Sequence, residues 1–135
     1  MKVLIDTNVV LDVLCQRAGF IEASSKVWKY CELGKIEGYL SALSVPNIIY
    51  IMRKELDPQK VQTIIEKLML IFKVTDLKVS DLCNGAKMFT SDFEDAVQMC
   101  CAERIKAEYI ITRNIKDFTA SSIDVLEPIE FLKLI

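Results

Sequence analysis

The chain has 135 residues, an apolar fraction of 52%, a formal net charge of −2 and no histidine. This fits a single domain over residues 1–135 with enough apolar mass for a core, and it excludes a disordered or low-complexity chain. A sequence pI near 5.2 gives no global positive field, so contact with nucleic acid needs a local patch.

Short apolar strands alternate with helical segments along the chain. Residues 2–6 read as a first strand, and residues 8–16 as a helix carrying Val9, Val10, Val13 and Leu14. A second helix spans roughly 20–33 and stops near Gly34; Tyr39-Leu40-Ser41 follows as a second strand. Residues 44–55 read as helical, with Pro46 in the first turn. Asp57-Pro58 supplies an N-cap and an N1 proline for a helix to about Leu70. Phe72-Lys73-Val74 is a third strand, and Ser80 is expected to cap a helix to about Met88. Ser91-x-x-Glu94 reads as a capping box opening a helix to about Lys106. Tyr109–Thr112 and Val125-Leu126 are the last strands, and Pro128 starts a C-terminal helix. Strands separated by helices predict an α/β fold with a parallel sheet covered on both faces.

Five cysteines, two of them adjacent (Cys100 and Cys101) and none in a Cys-x-x-Cys, argue against a disulfide framework and a structural zinc. A reducing cytoplasm is the expected compartment. The N-terminus shows no signal-peptide pattern, and no apolar run reaches the roughly 20 residues of a membrane span, so no membrane association is expected. Without histidine, Ser-His-Asp, Cys-His and histidine–zinc hydrolysis are excluded. Hydrolytic chemistry would rest on carboxylates, hydroxyls, lysines or an oxygen-held metal.

Acidic residues fall at suggestive places. Asp6 directly follows the first strand, where ligands of open α/β sheets bind and where an unpaired charge is costly. Asp92, Glu94 and Asp95 lie in a helix's first turn, and Asp117 follows the fourth strand. Asp92 and Asp95 are three apart and share a helical face, whereas Glu94 points round the helix and serves the capping box. Acids in a first turn also favour the helix dipole and by themselves need no function. Gathered together they would repel unless a cation intervened, and an all-oxygen set suits Mg²⁺ or Mn²⁺. Such an ion activates water and steadies phosphoryl charge, so phosphodiester hydrolysis is the reaction best served.

Three segments carry a resemblance: Val3-Leu4-Ile5-Asp6-Thr7-Asn8, Asp92-Phe93-Glu94-Asp95-Ala96, and Ile110-Ile111-Thr112-Arg113-Asn114-Ile115-Lys116-Asp117-Phe118, with Gly38–Leu43 between them. In that order they resemble the PIN-domain family (PilT N-terminus-like) over essentially the whole chain. The resemblance implies a three-layer α/β/α sandwich on a five-stranded parallel sheet of order 3-2-1-4-5. It implies an Mg²⁺- or Mn²⁺-dependent ribonuclease acting on RNA, of the kind found as toxins of toxin–antitoxin pairs, with an antitoxin partner and a homodimer. By position it makes Asp6, Asp92, Asp95 and Asp117 the catalytic and metal-binding acids. Asn8, Asn47, Thr112 and Asn114 become supporting or substrate-positioning groups, and Arg113 and Lys116 become phosphate contacts. The family's usual glutamate on the helix after the second strand is absent; Asn47 is the expected occupant and brings no charge.

Other readings are weaker. A haloacid-dehalogenase-type phosphatase needs a second aspartate where Asn8 stands, and a receiver domain lacks acidic support beside Asp6. The competitor from another class is a catalytically weak or inactive PIN-like module that binds RNA or a protein partner; Asn47 favours it and the retained aspartates oppose it.

Overall fold

The computed structural model describes residues 1–135. Its five strands are β1 (Lys2–Ile5), β2 (Glu37–Ser41), β3 (Lys73–Thr75), β4 (Tyr109–Ile111) and β5 (Asp124–Leu126). All pair in parallel in the order β3-β2-β1-β4-β5, as expected. The helices are α1 (Thr7–Leu14), α2 (Ile21–Glu32), α3 (Ser44–Ile51), α4 (Pro58–Ile71), α5 (Val79–Lys87), α6 (Phe93–Arg104) and α7 (Pro128–Leu132). Short 3₁₀ turns cover Arg53–Glu55 and Ile115–Phe118.

Alternation along the strands divides the core into two layers. Val3, Ile5, Leu40 and Ile111 pack on one face with Val9, Val10, Trp28, Leu68 and Phe131, drawn from α1, α2, α4 and α7. Leu4 and Ile110 face the opposite side, against Met99 and Ala102 of α6 and against Phe118. Gly38 lies where β2 passes under α2; an added Cβ would collide with the Cys31 sulfur. Trp28 is a core residue, set edge-on to Phe72 at 5.0 Å between centroids. Cys101 is buried and Cys100 only half-buried, so the adjacent pair divides into a core thiol and a peripheral one.

Several element ends differ from the sequence expectation. The first strand stops at Ile5 because Asp6 leaves the sheet to cap α1, its Oδ1 accepting from the Thr7 N–H. The helix expected over 44–55 ends at Ile51 and tightens into the 3₁₀ turn. Helix α5 starts before Ser80: Lys78 occupies the cap position, and Asp81 reaches back to accept the Lys78 N–H at 3.1 Å. The predicted Ser91–Glu94 capping box does not form. Asp92 is the N-cap of α6, its Oδ1 accepting the Asp95 N–H at 3.1 Å, so the helix begins one residue later. The Asp57-Pro58 start of α4 forms as predicted, with Asp57 accepting the Lys60 N–H at 2.8 Å.

Candidate active site

Asp6 gains its position from strand alternation. It continues the Leu4 side of β1 and so turns toward α6. Its N–H still donates to the Ile111 carbonyl at 2.9 Å, which holds the ends of β1 and β4 together. The order 3-2-1-4-5 reverses direction between these two strands, and such a switch point opens a crevice beyond the sheet.

The Asp6 side chain is only 5% exposed and accepts four hydrogen bonds. Oδ1 takes the Thr7 N–H at 2.7 Å and Gln98 Nε2 at 2.8 Å. Oδ2 takes Thr112 Oγ at 2.7 Å and Asn8 Nδ2 at 3.1 Å. These donors compensate the loss of water around a buried charge. Thr112, fully buried, also accepts from the Asn114 N–H at 3.1 Å and from Asn8 Nδ2 at 3.3 Å. Asn8 Oδ1 accepts the Arg113 N–H at 3.3 Å. Asn8, Thr112 and Asn114 thus form a frame around Asp6 and the start of the loop leading to Asp117.

The other acids gather at the mouth of the crevice. Burial, followed by the charges of Asp92, Asp6, Asp117 and Glu94, pushes the Asp95 carboxyl up to about 7. The four aspartates named from sequence therefore share one field, although they come from the end of β1, the start of α6 and the turn after β4. They do not stand as a ready coordination cage: no three are drawn together tightly enough to enclose an ion.

Glu94 departs from its expected place. It reaches across to α3, where its Oε1 accepts a hydrogen bond from Asn47 Nδ2. Partial burial and then the charges of Asp92 and Asp6 raise its carboxyl above the usual range, while the Asn47 bond opposes the rise. Glu94 thus faces the acid group, and Asn47 holds it there instead of contributing a charge. Spacing on α6 alone could not show this, because the decisive partner is 47 residues away in sequence.

Two residues were missed from sequence. Gln98 is 1% exposed and braces Asp6, yet its Oε1 is buried with no hydrogen-bond partner. The available signal was its spacing, three residues beyond Asp95 on the same face, as a polar group among Ala96, Val97 and Met99. Asp12, fully buried on α1, accepts from Arg113 Nε at 2.8 Å and Ser24 Oγ at 2.9 Å, with Arg17 at 3.7 Å. The Arg113 guanidinium also lies 3.9 Å from the Phe20 ring centroid. Its charge is therefore engaged within the fold, whereas Lys116 is exposed.

The donor set fits a hard divalent cation. It contains only oxygen ligands, and the unpartnered Gln98 Oε1 and Thr7 Oγ are buried polar atoms of the kind an ion or its water satisfies. The acids line none of the main surface clefts; the largest, about 640 Å³, lies instead among Lys26, Tyr30 and Leu132.

A family model for the PIN domain matches residues 2–116. The chain belongs to the PIN-domain family. No curated protein matches it in sequence. Among solved structures, VapBC-1 from nontypeable Haemophilus influenzae superposes with a TM-score of 0.73 at 17% identity, covering 96% of this chain and 99% of that one. A toxin–antitoxin complex from Klebsiella pneumoniae gives 0.68 at 19%, covering 93% and 97%. VapC20 of Mycobacterium tuberculosis, described as a toxin cleaving the sarcin–ricin loop, gives 0.64 at 8%, covering 80% and 86%. At these identities the likeness establishes a shared PIN fold.

Proposed function

We propose that this PIN-domain chain is a divalent-metal-dependent endoribonuclease and the toxin member of a toxin–antitoxin pair. The observation that carries the proposal is the convergence of Asp6, Asp92, Asp95 and Asp117 at the switch point, where burial first and then the neighbouring charges push the Asp95 carboxyl up to about 7. Perturbed carboxyls that converge from several elements are a mark of catalytic sites. The structural relatives support the toxin reading, since one is a toxin–antitoxin complex and another is a toxin described as cleaving the sarcin–ricin loop.

Asp6, Asp92, Asp95 and Asp117 would hold Mg²⁺ or Mn²⁺. The ion, when bound, lowers the pKa of water and stabilises charge on the phosphoryl oxygens. The chain's own residues do the rest. Thr7, Asn8 and Thr112 fix the Asp6 carboxylate so that it does not swing when charge arrives. Asp95, its carboxyl pushed up to about 7, would have to be ionised to hold the cation. Asn114 places the turn bearing Asp117, whose N–H donates to the Asn114 carbonyl at 2.9 Å. Lys116, exposed on that turn, would meet the RNA backbone. An antitoxin and a second copy of the chain are the proposed protein partners.

The test is cleavage of structured RNAs with Mg²⁺ or Mn²⁺ by wild type, Asp6→Asn and Asp95→Asn. The expected result is metal-dependent cleavage by wild type and a loss on the order of 100-fold or more in both variants. Equal cleavage by all three proteins would exclude these carboxylates from the chemistry. Tight RNA binding by wild type without turnover would favour the non-cutting module, the reading to which the uncharged Asn47 points.

A further inference from the structure

Asp6 has no free lone pair. An ionised carboxylate offers about four acceptor positions, and here each oxygen already accepts two hydrogen bonds. A cation that binds Asp6 directly must therefore displace a donor. The Thr7 donor is backbone, fixed by the start of α1. Thr112 and Asn8 are tied to each other and to the following loop. Gln98 is different: its only hydrogen bond is the one to Asp6, and the other end of its amide has no partner.

The amide's two ends have nearly the same shape. Turning it by half a revolution would bring Oε1 opposite Asp6 Oδ1 at the separation now held by Nε2, 2.8 Å. Two neighbouring ligands of octahedral Mg²⁺, each 2.0–2.1 Å from the ion, stand roughly 2.9 Å apart. The present spacing already matches the edge of such an octahedron. Gln98 also shares the α6 face with Asp95, three residues earlier, so an ion on that edge lies on the side of α6 that carries Asp95.

Resting on the metal-dependent reading above, we infer that Gln98 is an amide ligand for the divalent cation. It braces Asp6 through Nε2 in the metal-free protein and turns its buried, unpartnered Oε1 to the ion on binding. The amide thereby compensates the buried Asp6 charge until the cation replaces it.

The full chain is tested with Mg²⁺ and Mn²⁺ alone, without RNA. In wild type, the Gln98 side-chain amide resonances shift on Mg²⁺ titration and saturate with binding. By calorimetry, Gln98→Met weakens Mn²⁺ binding by ~10-fold or more, and Gln98→Glu stays within about threefold of wild type. Glutamate keeps the ligand oxygen but cannot donate to Asp6, so a residue that only braces Asp6 would fail equally as Met and as Glu. Equal loss in both folded variants, or amide resonances unmoved by saturating Mg²⁺, overturns the assignment while the metal reading stands. If wild type takes up no Mn²⁺, the metal reading itself falls and the role of Gln98 falls with it.

Discussion

Asp95 ties the site's electrostatics to the stability of the fold. Its carboxyl titrates near 7 in the folded, metal-free protein, against roughly 3.9 for an unfolded aspartate. The folded state therefore holds the proton more tightly. Its contribution is fully present below the unfolded value and is lost as pH rises through about 7. Urea midpoints of metal-free wild type and Asp95→Asn should differ little near pH 4, and the variant should become the more stable by pH 8. Saturating Mn²⁺ should close the gap. Midpoint curves that stay parallel from acid to neutral pH would mean that Asp95 is not under this strain. Asp6 was legible at this scale because a charge straight after an apolar strand has few innocent explanations. Gln98 was not, because an uncharged polar residue on a helix announces nothing until its neighbour across the fold is known.

At the scale of elements, Asp12 links α1 to the turn after β4 and to α2 through Arg113 and Ser24. Removing it strands Arg113 against Phe20 with no counter-charge. Because both arginines keep some solvent contact, Asp12→Ala should cost about 2–3 kcal/mol, below the range for a fully enclosed pair. Gly38→Ala should cost about 1–3 kcal/mol by forcing β2 away from the Cys31 sulfur. Chemical denaturation checks both, and a change under 0.5 kcal/mol in either would contradict the packing described. Element type and order were readable from apolar periodicity, and the α4 start from its Asp-Pro pair. The starts of α5 and α6 were not, because several capping residues stand side by side there. Asp92, not Ser91, caps α6, and Glu94 pairs with Asn47 on α3. The direction of Glu94 depended on α3, and helical spacing carries no information about another helix.

Over the whole molecule, the formal charge of −2 limits how RNA can be held. On the proposed function, phosphate contacts would come from few cations, with Lys116 foremost, since Arg113 is engaged by Asp12. Binding of RNA by inactive Asp95→Asn should therefore weaken by less than about 30-fold between roughly 50 and 200 mM salt, as expected for two or three phosphate contacts to a single strand. A steeper loss, read by fluorescence anisotropy, would reveal a basic surface formed only on assembly. The sheet order and the three-layer plan were legible through the family's motifs, whereas the hydrogen bonds that reach Asp6 from α6 and from the end of β4 were not. They join residues 92 and 106 positions apart.

That separation has a consequence for the chain as it leaves the ribosome. Thr112 grips Asp6 across 106 positions of sequence, and β4 must slot beside β1 before the crevice exists. A nascent chain carries Asp6 from its first moments but cannot frame it until nearly the whole polypeptide has emerged. Fragments ending before Asp117 are therefore expected to be harmless to the RNA around them, including the message and ribosome that made them.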